Sequence, residues 1–220
     1  MEAIQEFYDT ISGYLPGMLY AAVLAFEVTI LAILLSWVLG LAAALMKNSS
    51  RAVVRLPAEF YIWFIRGTPS LIQIFIIYFG LPQFGLRLSP ITAGIIALGL
   101  SSGAYVAEVV RSGLIAIPKG QWESARAVGM DQYTMMRRIV LPQVIRIIVP
   151  PLTNEAVNTL KNTSLLSVIT VVELTLFTQM AIAATFRPFD FYIMAALLYL
   201  VMTTVLSRFA TWYESRYEAY

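Results

Sequence analysis

The sequence contains no cysteine and no histidine, and only 13% of its residues are charged. Without cysteine there is no disulfide, no thiolate nucleophile and no iron–sulfur ligand. Without histidine there is no imidazole metal ligand and no histidine general base. Zinc sites, haem ligation by His or Cys, and Ser-His-Asp hydrolysis are set aside on those grounds. The third shortage decides the class. Soluble domains carry about 25% charged residues, so this chain of 220 residues, 59% of them hydrophobic, cannot clothe a water-facing surface. A net charge of +2 gives no reason to expect nucleic acid as a partner.

Long uncharged runs take the place of charge. Val28–Met46 gives 19 residues, Gly67–Leu86 gives 20, Leu88–Ala107 gives 20 and Phe191–Ser207 gives 17. Each is near the length of one helical span, and none alternates with the period of two that a barrel strand needs. The stretch Ile147–Arg187 is 41 residues long and interrupted only by Glu155, Lys161 and Glu173. It holds either two spans or one span followed by an amphipathic segment at 172–184.

The distribution of Lys and Arg selects between these. With five spans, Lys47, Arg51, Arg55, Arg111, Lys119, Arg126, Arg137, Arg138, Arg146, Arg208 and Arg216 all fall on one side. Only Arg87 and Arg187 fall on the other, and Arg66 and Lys161 lie in the membrane. By the positive-inside rule the N-terminus is outside and the C-terminus in the cytoplasm. The expectation is an all-α membrane protein with a single domain over 1–220. Its spans run at about 16–46, 57–82, 88–111, 147–169 and 190–212, with a cytoplasmic loop at about 112–146. The N-terminus has no basic region of the signal-peptide type, so no cleavage is expected. No internal repeat stands out, which argues against an inverted-repeat carrier within this chain.

The loop carries the most information. Pro118, Lys119 and Gly120 break the chain, Gln121–Val128 reads as a short helix, and Gly129 suits its C′ position. Asp131 reads as the N-cap of a second helix, Gln132–Leu141, with Pro142 after it. Such an element is either a solvated loop or a shape that docks into a groove of another protein.

Glu123-Ser124-Ala125, then Gly129, Ile139 and Leu141-Pro142 match the pattern EAA-x3-G-x9-I-x-LP, with serine for alanine at the second position. That pattern resembles the coupling-loop signature of permease subunits of ATP-binding cassette (ABC) importers. FIRGTPSLIQ (64–73), GAYVAEVVRSG (103–113), KGQWESARAVGM (119–130) and LPQVIRIIVPPLTNEAVNTLKNTSLLSVI (141–169) resemble the polar amino acid branch of those permeases, which serves histidine, glutamine, arginine and cystine. YFGLPQFGL (78–86) is most similar to the cystine type, while the first 15 residues and the tail after Trp212 match nothing. The resemblance implies the type I ABC importer permease fold, an ATPase subunit dimer, a second permease subunit of the same or a related sequence, and an extracytoplasmic solute-binding protein. It places the chain in a bacterial cytoplasmic membrane. It implies that Glu123, Ser124, Ala125, Arg126 and Gly129 engage the ATPase, Glu123 by polar contact and Gly129 as the turn. ATP and magnesium would sit on that partner, and this chain would bind no cofactor, no metal and hold no catalytic residue. No GxxxxGK[ST] phosphate loop occurs in it.

Ionisable and polar groups within spans are functional candidates by default. Pro69 disfavours helix at Thr68 and removes a backbone donor, so Gly67 and Thr68 either offer backbone groups to a substrate or form a packed kink. Gly94, Gly99, Ser101, Ser102, Gly103 and Ala104 make a face of small residues suited to close helix packing, although Ser101 and Ser102 could line a path. Glu108 and Arg111 stand at ion-pair spacing, and Glu27 in the first span suits a structural or headgroup contact. Asn154, Asn158 and Lys161 share one helical face, with Glu155 and Asn162 on the next. Facing lipid, each unsatisfied group would cost several kcal/mol, so the stripe turns to the bundle or to water. A carboxylate and an ammonium there suit a zwitterion; the alternative is a Glu–Lys lock between subunits. An ATP-independent carrier or channel would show a similar stripe, and a Ser–Lys enzyme using Lys161 and Ser164 is arithmetically possible.

Overall fold

The computed structural model describes residues 2–215, and among them every regular element is helical. Arg216, one of the expected cytoplasmic cations, lies outside the described residues. Among the described residues three helices are long and apolar enough to cross a membrane, through Thr10–Lys47, Pro90–Ile115 and Pro188–Trp212. Two bent pairs, Ala52–Gly67 with Ser70–Phe84 and Gln132–Ile169 with Leu174–Thr185, bring the possible spans to five.

Helix α1 (Glu2–Lys47) has 46 residues. At a rise of 1.5 Å per residue it measures about 69 Å, far more than one crossing needs. It begins well before the first span expected at 16–46 because its early turns have a surface to pack on. Ile11 and Met18 are buried with Leu174, Ala181 and Phe191, and Tyr14 meets the Phe191 ring edge-on at 5.2 Å. Near the same end, Arg187 donates to the Thr10 hydroxyl at 2.9 Å and pairs with Asp190 at 2.6 Å.

The stretch expected as the second span bends sharply. Helix α2 (Ala52–Gly67) ends where Thr68 turns extended, at φ −121° and ψ 146°, as a residue before proline prefers. Helix α3 (Ser70–Phe75) then leaves at 113° to α2 and continues through a π turn, Ile76–Gly80, and a 3₁₀ turn, Leu81–Phe84. Gln73, only 4% exposed, pins the corner. Its Nε2 donates to the carbonyls of Ile65 and Thr68 and lies 3.0 Å from the Thr68 hydroxyl.

Helix α4 (Pro90–Ile115) is the axis of the bundle. Ser89 caps it by accepting from the Thr92 amide at 3.2 Å, and Pro90 occupies the first turn, where no donor is missed. Its glycines are packing sites: a Cβ on Gly99 would lie 2.6 Å from Leu35, and one on Gly103 would lie 2.7 Å from the Tyr61 hydroxyl. The small-residue face thus lets α1 and α2 close on α4. Leu98 and Ala97 join Val28, Ala32, Ile74, Leu166 and Ile169 in the central core.

After α4 come α5 (Lys119–Ala127), α6 (Gln132–Met135), a π turn at Met136–Val140 and α7 (Leu141–Asn162). The helix expected to stop at Leu141 before Pro142 instead runs on into α7. The π turn precedes Pro142, which sits in the first turn of α7, so the missing N–H costs the ladder little. A 3₁₀ segment, Thr163–Ile169, ends at Thr170 with φ +64°. Helix α8 (Leu174–Thr185) has 12 residues, about 18 Å, too short to span alone. It follows the stretch Gln132–Ile169 at a bend of 52°, and the two together are long and apolar enough for one span. Helix α9 (Pro188–Ser215) covers the fifth span expected at 190–212.

Candidate functional site

The polar residues of α4 and α7 open onto one cavity of about 410 Å³. Ser101 and Ser102 from α4 and Glu155, Asn158, Lys161 and Asn162 from α7 line it, with Ser70 and Tyr105. Their convergence follows from the bend between α2 and α3. Because α3 restarts at 113° to α2, Ser70 is carried to α4, where its hydroxyl lies 3.1 Å from that of Ser101. Consecutive helical residues differ by about 100° in direction. Ser101 therefore turns to α3, and Ser102 stands beside the Glu155 carboxylate. Both serines are almost fully buried, at 6% and 4% exposure, while Asn158 and Lys161 are exposed on the face of α7 away from the core.

Not every residue expected on the path reaches this cavity. Gly67 lines a separate recess of about 370 Å³ at the end of α2, with Lys47, Glu59 and Arg66. The Thr68 hydroxyl donates to the Phe64 carbonyl at 2.9 Å, and both Thr68 oxygens face the Gln73 amide. Asn154 is exposed one turn before Asn158 and lies outside the cavity lining. Glu27 is exposed on α1.

Below the cavity the same face of α4 continues from Ser101 through Tyr105 to Glu108, at spacings of four and three. Glu108 gathers Lys47 at 2.5 Å, Arg111 at 3.7 Å and Arg66 at 3.8 Å, so the expected pair with Arg111 is one of three. Arg66 also lies over the Tyr105 ring, 5.5 Å from its centroid.

The loop beyond α4 is an ordered helical pair. In α5, Ala125 is buried with Ile117, Met135, Val140 and Val144, and Trp122 packs beside them. That leaves Glu123, Ser124, Arg126 and Val128 exposed on the outer surface. Gly129 takes φ +77°, its amide donating to the Arg126 carbonyl and the Met130 amide to the Ala125 carbonyl. This is the left-handed turn expected of a glycine at that position. Asp131 caps α6, its carboxylate accepting from the Thr134 hydroxyl at 2.6 Å and from the amides of Tyr133 and Thr134. These bonds, the Thr134 hydroxyl foremost, hold its carboxyl below the usual carboxylate range.

One buried carboxylate carries a role that sequence reasoning left unassigned. Glu173, 1% exposed, accepts from the Thr175 and Leu176 amides at the start of α8 and from the Tyr199 hydroxyl of α9. Its isolation in an apolar stretch is the signal for it, but its partner is 26 residues away. Ser70 and Tyr105 were also not singled out. Among the described residues no three acidic side chains converge as a metal site would require.

A helical membrane protein with a polar cavity at span depth and an ordered helical pair outside the spans has the anatomy of a transport permease. The matches to known proteins say the same. The family model described as "Binding-protein-dependent transport system inner membrane component" matches residues 36–219. The probable amino-acid ABC transporter permease protein YckA of Bacillus subtilis is 40% identical over 183 residues, covering 83% of this chain and 81% of its own. The probable glutamine ABC transporter permease protein GlnM of the same organism is 38% identical over 96% of both chains. A solved structure described as an amino acid ABC transporter with histidines superposes with a TM-score of 0.90 at 39% identity, covering 95% of this chain and 98% of that one. The chain belongs to the binding-protein-dependent inner membrane permeases of ABC importers, and its fold is theirs, of type I.

Proposed function

We propose that the chain is the permease subunit of an ATP-driven importer that carries a polar amino acid into a bacterial cell. The observation that carries this reading is the cavity between α4 and α7, which offers Glu155 and Lys161 on one wall with serine and asparagine groups around them. A carboxylate and an ammonium at that depth complement the two charges of a free amino acid. The amino acid systems in which YckA, GlnM and the superposed structure work favour the same class of cargo.

Substrate arrives from a solute-binding protein on the outer face, where the N-terminus lies. It passes between this chain and a second permease subunit, of the same or a related sequence. The exposed polar stripe of Asn154, Asn158 and Lys161 supports that second subunit, since lipid would leave those groups unsatisfied. Glu155 holds the ammonium end and Lys161 the carboxylate, with Ser101, Ser102 and Asn158 completing the lining; Gly67 and Thr68 shape the corner behind it.

The chain hydrolyses nothing. An ATPase dimer, which binds ATP and magnesium, takes the outer surface of α5 into a cleft, with Glu123, Ser124 and Arg126 at the contact and Ala125 and Gly129 holding the helix in shape. Closure of the ATPases pushes on the loop and rocks the two permeases, and release of the hydrolysis products returns them.

The experiment is ATP-driven uptake of radiolabelled glutamine, arginine, histidine and cystine by the purified complex in vesicles. One of them is accumulated by the native complex, and Glu155→Gln lowers that rate at least tenfold while the complex still assembles. Accumulation of none of them, or equal uptake without ATP, overturns the reading.

A further inference from the structure

We propose that Arg66 is a second station on the path, an exit subsite that receives the carboxylate of the cargo as it leaves the cavity toward the cytoplasm. The inference rests on the transport reading above and adds a residue to it.

Three observations meet at this side chain. Tyr105 is a wall of the polar cavity, and the same ring carries the Arg66 guanidinium on it at 5.5 Å. The cavity and the cation are therefore separated by one aromatic side chain. Second, the face of α4 that lines the cavity descends from Ser101 through Tyr105 to Glu108. At 1.5 Å per residue, Ser101 to Glu108 is about 10 Å, so cargo following this face meets Arg66 next. Third, the charges there do not balance. Glu108 is engaged closely by Lys47 at 2.5 Å, whereas Arg66 and Arg111 reach it only at 3.8 and 3.7 Å. Glu59, which shares the recess with Arg66, is paired with Arg55 at 3.5 Å.

Arg66 is thus a cation in excess of its carboxylates, 45% exposed, beside a recess of about 370 Å³. A guanidinium offers five donors in a planar fork that fits a carboxylate with two parallel bonds. Resting over the Tyr105 ring at 5.5 Å and 45% exposed, it keeps donors within reach of the recess. The break at Gly67–Pro69 explains the arrangement, because it sends Ser70 into the cavity and leaves Arg66 at the end of α2, on the recess.

The test uses the complex with its ATPase in vesicles, with the transported amino acid loaded at millimolar concentration on the ATPase side. An exit subsite fills from that side and slows uptake. The inhibition constant of the native complex is expected to be at least fivefold lower than that of Arg66→Gln, with Arg66→Lys between them. The decarboxylated amine of the same amino acid, agmatine if arginine is carried, inhibits neither. If Arg66→Gln does not assemble, Tyr105→Leu, which removes the seat and keeps the cation, gives the same weakening. Equal inhibition of native and variant complexes, no inhibition of the native complex, or inhibition by the amine as strong as by the amino acid overturns the subsite. All three leave transport itself standing. A native complex that shows no uptake overturns the transport reading and the subsite with it.

Discussion

The Tyr199 hydroxyl donates a 2.8 Å hydrogen bond to the Glu173 carboxylate, joining α9 to the first turn of α8 inside the bundle. The carboxylate also accepts from the Thr175 and Leu176 amides at that helix start, and the Thr175 hydroxyl lies 3.2 Å from that of Tyr199. A buried carboxylate stripped of one donor keeps its desolvation and loses a charge-assisted bond. Tyr199→Phe is expected to cost about 1–3 kcal/mol. Glu173→Leu is expected to cost more, because it leaves the α8 amides without an acceptor. Thermal unfolding of the purified protein in detergent measures both, and an unchanged midpoint for Tyr199→Phe would remove the bond from the account.

The glycines of α4 separate packing from propensity. Gly103→Ala places a methyl 2.7 Å from the Tyr61 hydroxyl and 3.2 Å from Leu39. Tyr61 cannot withdraw freely, since its hydroxyl donates to the Leu100 carbonyl at 2.7 Å. Overpacking of this kind costs about 1–3 kcal/mol. Gly120→Ala, on α5 with nothing within 4 Å of the new Cβ, is expected to stabilise by up to about 1 kcal/mol. The same unfolding assay reads the opposite signs.

Asp131 gives the loop a pH dependence. Its folded carboxyl titrates below its unfolded value, so its contribution is present above the unfolded value and is lost as pH falls through the folded one. The protection of the amides of 132–136, their exchange measured against the intrinsic rate at each pH, is expected to be high at neutral pH and to fall below about pH 4, the ordinary range of an aspartate. Asp131→Ala abolishes that dependence, its protection being low throughout. An unchanged pH profile in the variant would assign the protection to something else.

The outer surface of α5 carries the expectation of coupling. Glu123 is exposed and has no packing role, so Glu123→Arg leaves the helix folded while reversing the charge offered to a partner. ATP hydrolysis by the complex is expected to persist while uptake falls at least tenfold. Uptake equal to the native rate would take Glu123 out of the contact.

The helical membrane class was legible because long uncharged runs report the bilayer directly. The Gly129 turn was also legible, since its geometry depends on neighbours in sequence. What stayed hidden depended on partners far along the chain. Lys47 meets Glu108 across 61 residues and Tyr199 meets Glu173 across 26, pairings that no local pattern encodes. The early start of α1 needed Leu174 and Phe191 to be seen beside it. Proline spoke correctly at Pro69, where the helix breaks, and misleadingly at Pro142, where a π turn lets the helix continue. The corner was foreseen at Gly67 and Thr68, but its angle sends Ser70, not them, to the cavity.

The absence of cysteine makes the central claim directly testable. One cysteine is introduced at Ser124 on α5, or at Ser89 at the opposite end of α4, and cross-linked in native membranes with a short thiol–amine reagent. Mass spectrometry then identifies what each position has joined. The account predicts a phosphate-loop ATPase attached at Ser124→Cys and none at Ser89→Cys. An ATPase joined at position 89, or none at 124 in membranes that take up the amino acid, would contradict it.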